Sequence, residues 1–147
     1  MTMLRVLLVM LRLMPSRGEA DVAYRTELAV AIVSVTDDVL EQDLLASIAR
    51  WEGAYRRDVG ECRRPGPQGE LGAWQVLARS DVERARLCAS LEGDARLALE
   101  RVRESITACA HLPPAERLAV YARGRCDSAE GRKLSRHRWF DTRGGAR

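Results

Sequence analysis

A glutamate at the end of an apolar helix is the residue whose type and placement point most directly to chemistry. The stretch Ala46-Ser47-Ile48-Ala49-Arg50-Trp51-Glu52-Gly53-Ala54-Tyr55 closes a segment with Leu40, Leu44, Leu45 and Ile48 on one side. At a helix C-terminus the macrodipole disfavours an anion, and the flanking Trp51 and Tyr55 can keep water from the carboxyl. Both effects favour the protonated form, as a general acid working near neutral pH requires. Two further stretches carry polar groups in ordered contexts. Gly69-Glu70-Leu71-Gly72-Ala73-Trp74-Gln75-Val76 has two glycines three apart, which permit tight turns, followed by a Gln. Val120-Tyr121-Ala122-Arg123-Gly124 places a Tyr near the end of a later helix.

Other chemistries find little support. The two His, His111 and His137, have no Ser or Cys at a spacing that suggests a hydrolytic triad. The glycines around Gly66–Gly72 follow a loop, not a strand, so they form no P-loop or dinucleotide fingerprint. No cysteine pair has CxxC spacing, and a structural zinc site would show close ligand pairs. No metal or other cofactor is expected. Arg132, Lys133, Arg136, His137 and Arg138, next to Trp139, form a basic cluster that could meet a phosphate-rich polymer; a solvated helix face is the plainer reading.

The elements that must hold these residues are helical almost throughout. Apolar residues at helical spacing predict helices over Val22–Val35 and Val39–Trp51, the second capped by Asp37 or Asp38. Ser80-Asp81-Val82-Glu83 reads as a capping box, so a helix starts at Asp81 and ends near Leu91. Gly93 separates it from a longer helix over Asp94–His111. Pro113 and Pro114 open another, which stops at Gly124. Ala129–Phe140 is a short basic helix. Gly and Pro dominate Gly60–Gly72, which must be a loop, with at most a tiny strand element in residues 60–76. The predicted fold class is all-α. Its parts are an N-terminal apolar and basic segment (1–20), a helical domain (21–127) and a basic C-terminal tail (128–147).

Composition agrees. The 147 residues suffice for one domain with its own core. Hydrophobic residues make up 46% and charged residues 31%, which excludes a disordered polyelectrolyte and a membrane bundle. The net charge of +3 is too small to argue for nucleic acid. It is unevenly placed: residues 1–102 carry 14 basic and 16 acidic side chains, residues 103–147 carry 10 and 5.

In order and context, the three stretches resemble the lysozyme-like superfamily of goose-type lysozymes and lytic transglycosylases (the SLT-type domain). In that family a helix ends in a catalytic Glu followed by Ser. A Gly-x-x-Gly-aliphatic-aromatic/Met-Gln segment comes next, and a later helix supplies Ala-Tyr-Asn-x-Gly. Glu52-Gly53-Ala54-Tyr55 matches the first with Gly in place of Ser. Gly69–Val76 matches the second. Tyr121-Ala122-Arg123-Gly124 matches the third with Ala122 in place of Asn. The likeness spans about residues 40–126. It implies cleavage of the β-1,4 bond between N-acetylmuramic acid and N-acetylglucosamine in peptidoglycan by a bacterial or phage glycosidase. Glu52 would be the catalytic acid. Gln75, Tyr121, Trp74 and Tyr55 would bind or position substrate, with Trp74 stacking on a sugar ring. In a transglycosylase Glu52 next acts as base on the sugar's own 6-hydroxyl and leaves a 1,6-anhydro product. If water attacks instead, Asp58 or Glu61 is the expected base. The partner is the glycan strand; no stable protein partner is implied and nucleic acid is disfavoured. The alternative is a non-catalytic helical module that binds sugar or nucleic acid through its basic tail.

Four cysteines in a small domain fit two disulfides and an oxidising compartment. Adjacency of elements suggests Cys88 with Cys109, and Cys62 with Cys126. The alternative is four buried thiols acting as small hydrophobes. Met3–Met14 is apolar but broken by Arg5 and Arg12, too short and charged to span a membrane. It reads as a degenerate signal, a misassigned start or a peripheral amphipathic helix. An extracytoplasmic location is favoured, with a phage-type lysin held in the cytoplasm as the other reading.

Overall fold

The computed structural model describes residues 2–142; their regular structure is helical, joined by loops and turns, with one isolated bridge. The elements are α1 (Thr2–Leu13), α2 (Glu19–Val35), α3 (Val39–Gly53), α4 (Arg57–Gly60), α5 (Asp81–Ala89), α6 (Leu91–Ala108), a 3-10 turn (Pro114–Glu116), α7 (Ala119–Arg123) and α8 (Ala129–Arg138). The all-α expectation holds. Side-chain caps begin α3, α5, α6 and α8: Asp38 accepts from the Glu41 amide, Ser80 from Glu83, Ser90 from Gly93 and Ser128 from Gly131. Ser80 caps α5 where the box was expected, while Glu83 reaches back one residue past it and accepts from the Arg79 amide at 2.7 Å.

Several boundaries differ; α2 starts at Glu19 and α6 ends at Ala108. Ser90, not Gly93, breaks α5 from α6: its extended backbone turns the chain while its hydroxyl caps the new helix. The segment opened by Pro113 and Pro114 is a 3-10 turn followed by the short α7, which ends on Gly124 at φ +72°. The last helix stops at Arg138, two residues before Phe140.

Both flanking segments belong to the common body. Val6, Val9 and Met10 of α1 join the same buried cluster as Leu28, Ile32, Leu44, Leu45, Ile48, Leu97, Val102 and Leu118. Buried Arg25 donates to the carbonyls of Met14 and Pro15 and so holds the α1–α2 turn. Ser135 of α8 is buried; it accepts from the Leu118 amide at 2.9 Å and donates to the Ala115 carbonyl at 2.8 Å. Neither 20/21 nor 127/128 therefore separates a part from the core. Residues 143–147 of the expected tail lie outside the described residues.

Asp43 ties the two flanks together. Its carboxylate, 1% exposed, accepts from Arg5 of α1 at 2.7 Å, and from the Thr142 amide and hydroxyl at 3.0 and 2.6 Å. Removing one partner of a buried pair costs several kcal/mol because a charge is left uncompensated; the Thr142 bonds soften that here. Arg5→Ala is expected to lower unfolding stability by about 2–3 kcal/mol, read as a lower urea midpoint.

Both disulfides form, with connectivity other than expected: Cys62–Cys88 and Cys109–Cys126. Cys88 lies just before α6 begins and Cys109 just after it ends. Eighteen helical residues put roughly 27 Å between those points, so the expected Cys88–Cys109 bridge is out of reach. Instead Cys62–Cys88 ties the stretch after α4 to α5, and Cys109–Cys126 ties the end of α6 to the stretch after α7.

Candidate active-site cleft

The end of α3, the loop before α5, one face of α6, α7 and the end of α8 enclose a cleft of about 490 Å³. Glu52, Gln75 and Tyr121 all line it. Three separate stretches of sequence thus supply one cavity.

The loop carrying Gln75 is pinned at several points. Leu71 and Val76 pair as an isolated antiparallel bridge, the tiny strand element expected within residues 60–76. Gly69 and Gly72 make the turns at φ +86° and +80°. Gln75 adopts φ +49°, a strained conformation for a residue with a Cβ. Its side-chain amide donates to the Gly72 carbonyl at 3.0 Å. Tyr121 donates to the Trp74 carbonyl at 2.7 Å. Its own amide donates to Ser105 Oγ, which in turn donates to the Arg117 carbonyl. Burial, and then the nearby Glu52 carboxylate, push the Tyr121 phenol well above its ordinary range, so it stays protonated and donating.

Two expected sugar contacts fail. Trp74 is 0% exposed, and its indole donates to the Leu45 carbonyl at 2.8 Å. It fixes the loop to α3 from within the core and cannot stack on a ring in the cleft. Tyr55 is also buried, donates to the Ala46 carbonyl at 3.0 Å, lies under the Arg25 guanidinium and does not line the cleft. The aromatic shield expected around Glu52 is absent too: Trp51 is 45% exposed, stacked under Arg50 and near His137.

Glu52 instead meets a cation. Its Oε1 accepts from Arg138 Nε at 2.6 Å, with the two side chains 20% and 11% exposed. Arg138 lay in the cluster read as a basic tail. No local pattern marks it, because only the return of α8 onto α7 brings it to the end of α3. The expected hydrolytic bases do not line the cleft: Asp58 pairs with Arg56 and Arg64, and Glu61 with Arg57 and Arg63. The carboxylates that share it with Glu52 are Glu70 and Glu104. Glu104 is engaged by Arg79 and Arg101, whereas Glu70 accepts from the Gln68 amide at 2.9 Å. Glu70 was legible inside its own motif but drew no role.

Beneath the loop, Asp94 of α6 is fully buried, with no ion pair among the described residues. Its Oδ2 accepts from the Ala73 amide at 2.7 Å and its Oδ1 has no partner among the described residues. A Cβ at Gly72 would lie 2.3 Å from Oδ2, so the turn closes over Asp94 only with glycine there. Burial raises the Asp94 carboxyl well above the usual carboxylate range, against the opposing effect of the Ala73 bond. The folded state therefore binds a proton that the unfolded chain releases near pH 4. Stability is full below that pH and falls as pH rises toward the folded value, by up to about 1.4 kcal/mol per pH unit. Asp94→Asn is expected to flatten this dependence. Its melting temperature relative to the unmutated protein should rise from pH 4 upward; parallel curves would refute the assignment.

Among the described residues no three His, Cys, Asp or Glu side chains group as a metal site. No helix there is long and apolar enough to cross a membrane.

No family model, curated protein or solved structure matches the chain.

The site is therefore read from its own geometry: the Glu52 carboxyl paired with Arg138, the Glu70 carboxyl, a Gln amide, a buried phenol and further Arg–Glu pairs around an open cavity.

Proposed function

We propose that the chain is a peptidoglycan-cleaving glycosidase of lysozyme or lytic transglycosylase type, with Glu52 as its general acid and base. The convergence of Glu52, Gln75 and Tyr121 on one cleft carries this reading. In the transglycosylase course, Glu52 protonates the glycosidic oxygen as the bond to the sugar C1 breaks. It then takes the proton of the 6-hydroxyl as that oxygen closes on C1. In the hydrolytic course a water attacks instead, and Glu70, the cleft carboxylate with no arginine partner among the described residues, is the group available to activate it. Gln75 offers amide hydrogen bonds to an acetamido or hydroxyl group.

The two disulfides are compatible with an oxidising, extracytoplasmic setting. The nucleic-acid alternative has less to draw on, since much of the α8 basic cluster is spent on internal pairs. Arg132 and Arg136 bind Glu116, and Arg138 binds Glu52.

The test is incubation with purified peptidoglycan and mass spectrometry of the soluble products. Products one water lighter than hydrolytic ones indicate the anhydro route. No release above a protein-free control overturns the reading.

A further inference from the structure

We infer that Arg138 is a positioning residue for Glu52, selecting which carboxyl oxygen does the chemistry; this rests on the glycosidase reading above. The contact is single-pointed. Nε of Arg138 reaches Oε1 at 2.6 Å, while its Nη1 turns back to the Leu134 carbonyl at 3.1 Å. A side-on guanidinium fork would engage both carboxyl oxygens. Here Oε2 has no hydrogen-bond partner among the described residues, so it is left to face substrate while Oε1 accepts from Arg138.

The next residue on α3 offers no brace. Gly53 has no side chain, and a Cβ there would lie 2.8 Å from the Ala73 carbonyl oxygen, so the packing of α3 on the Gln75 loop excludes one. Ala122, on the α7 wall of the cleft, is apolar. Arg138 is itself firmly held. Ser135, one turn earlier, is bonded to Leu118 and Ala115, and the Trp139 amide closes α8 on the Ser135 carbonyl. Gly131 packs against the Ala119 carbonyl, where a Cβ would be 3.0 Å away. A rigid donor in the wall of the cleft is what fixing one rotamer of Glu52 requires.

The experiment compares the unmutated protein with Arg138→Ala and Arg138→Lys in steady-state glycan cleavage, below the melting temperature of each. Arg138→Ala is expected to lower kcat by 10- to 100-fold with KM within about twofold. Arg138→Lys, which keeps one donor but loses the Leu134 anchor, should recover part of the loss. A second readout needs no turnover: the Arg138 Nε–H signal in NMR should be resolved and slow to exchange, and become fast-exchanging in Glu52→Ala. Unchanged or increased kcat in Arg138→Ala, a change in KM alone, or no recovery with Lys overturns the positioning role. If the unmutated protein shows no cleavage while the Nε–H signal is protected, the glycosidase reading has failed and the pair is a plain packing contact.

Discussion

Replacing Glu52 with Gln is expected to lower glycan cleavage by about 10²–10⁴-fold, the usual contribution of a general acid or base. The substitution isolates proton transfer from shape. Gln has nearly the volume of Glu, and its Oε1 can still accept from Arg138 Nε, so the α8–α3 contact persists. What it loses is the proton on the free oxygen and the ability to take one back. In the anhydro route both half-reactions draw on that single group, so no other side chain in the cleft should rescue the variant. Glu70→Gln provides the contrast. It should be silent if the sugar's own hydroxyl attacks, and nearly as damaging as Glu52→Gln if water does. Equal product release by Glu52→Gln and the unmutated protein would remove Glu52 from the chemistry altogether.

The largest effect on stability should come from the disulfides. They close loops with sequence separations of 26 and 17. On loop-closure entropy alone each contributes about 3 kcal/mol. Loss of both is of the order of the whole stability of many small domains. A chain unfolded by urea with and without reductant should show a difference of about 6 kcal/mol, and reduction alone should lower the melting temperature. The two bonds should also separate in function. Cys62–Cys88 anchors the stretch leading to Gln68, Glu70 and Gln75, so the Cys62→Ser, Cys88→Ser pair should lose activity at temperatures where it is still folded. Cys109–Cys126 borders α7, whose Tyr121 is independently held by Ser105 and the Trp74 carbonyl; its loss should register mainly in the urea midpoint.

Local signals were legible in the sequence and nonlocal ones were not. Caps at Asp38 and Ser80 and the Gly124 stop are written in consecutive residues, and they form as expected. The cleft's three motif residues were found because each sits in its own short pattern. Arg138 had no such pattern: its role depends on α8 folding back on α7 through Ser135. The same holds for Trp74, whose burial depends on the Leu45 carbonyl lying within reach of its indole. The cysteine pairing is not legible from element order, because neighbours in order need not be neighbours in space and α6 is long enough to separate its two ends. Asp94 read only as the opening residue of a helix, since nothing near it in sequence announces the turn that closes over it.

That turn also constrains how the chain can change. A side chain at position 72 meets three carboxyl atoms of Asp94 at 2.3 to 2.6 Å and needs an unfavourable backbone as well. Gly72→Ala should therefore be defective alone, and second-site revertants selected from it should appear at position 94, as Gly, Ala or Ser. The two positions, 22 apart in sequence, are coupled in one direction: drift at 72 has to wait for a smaller residue at 94.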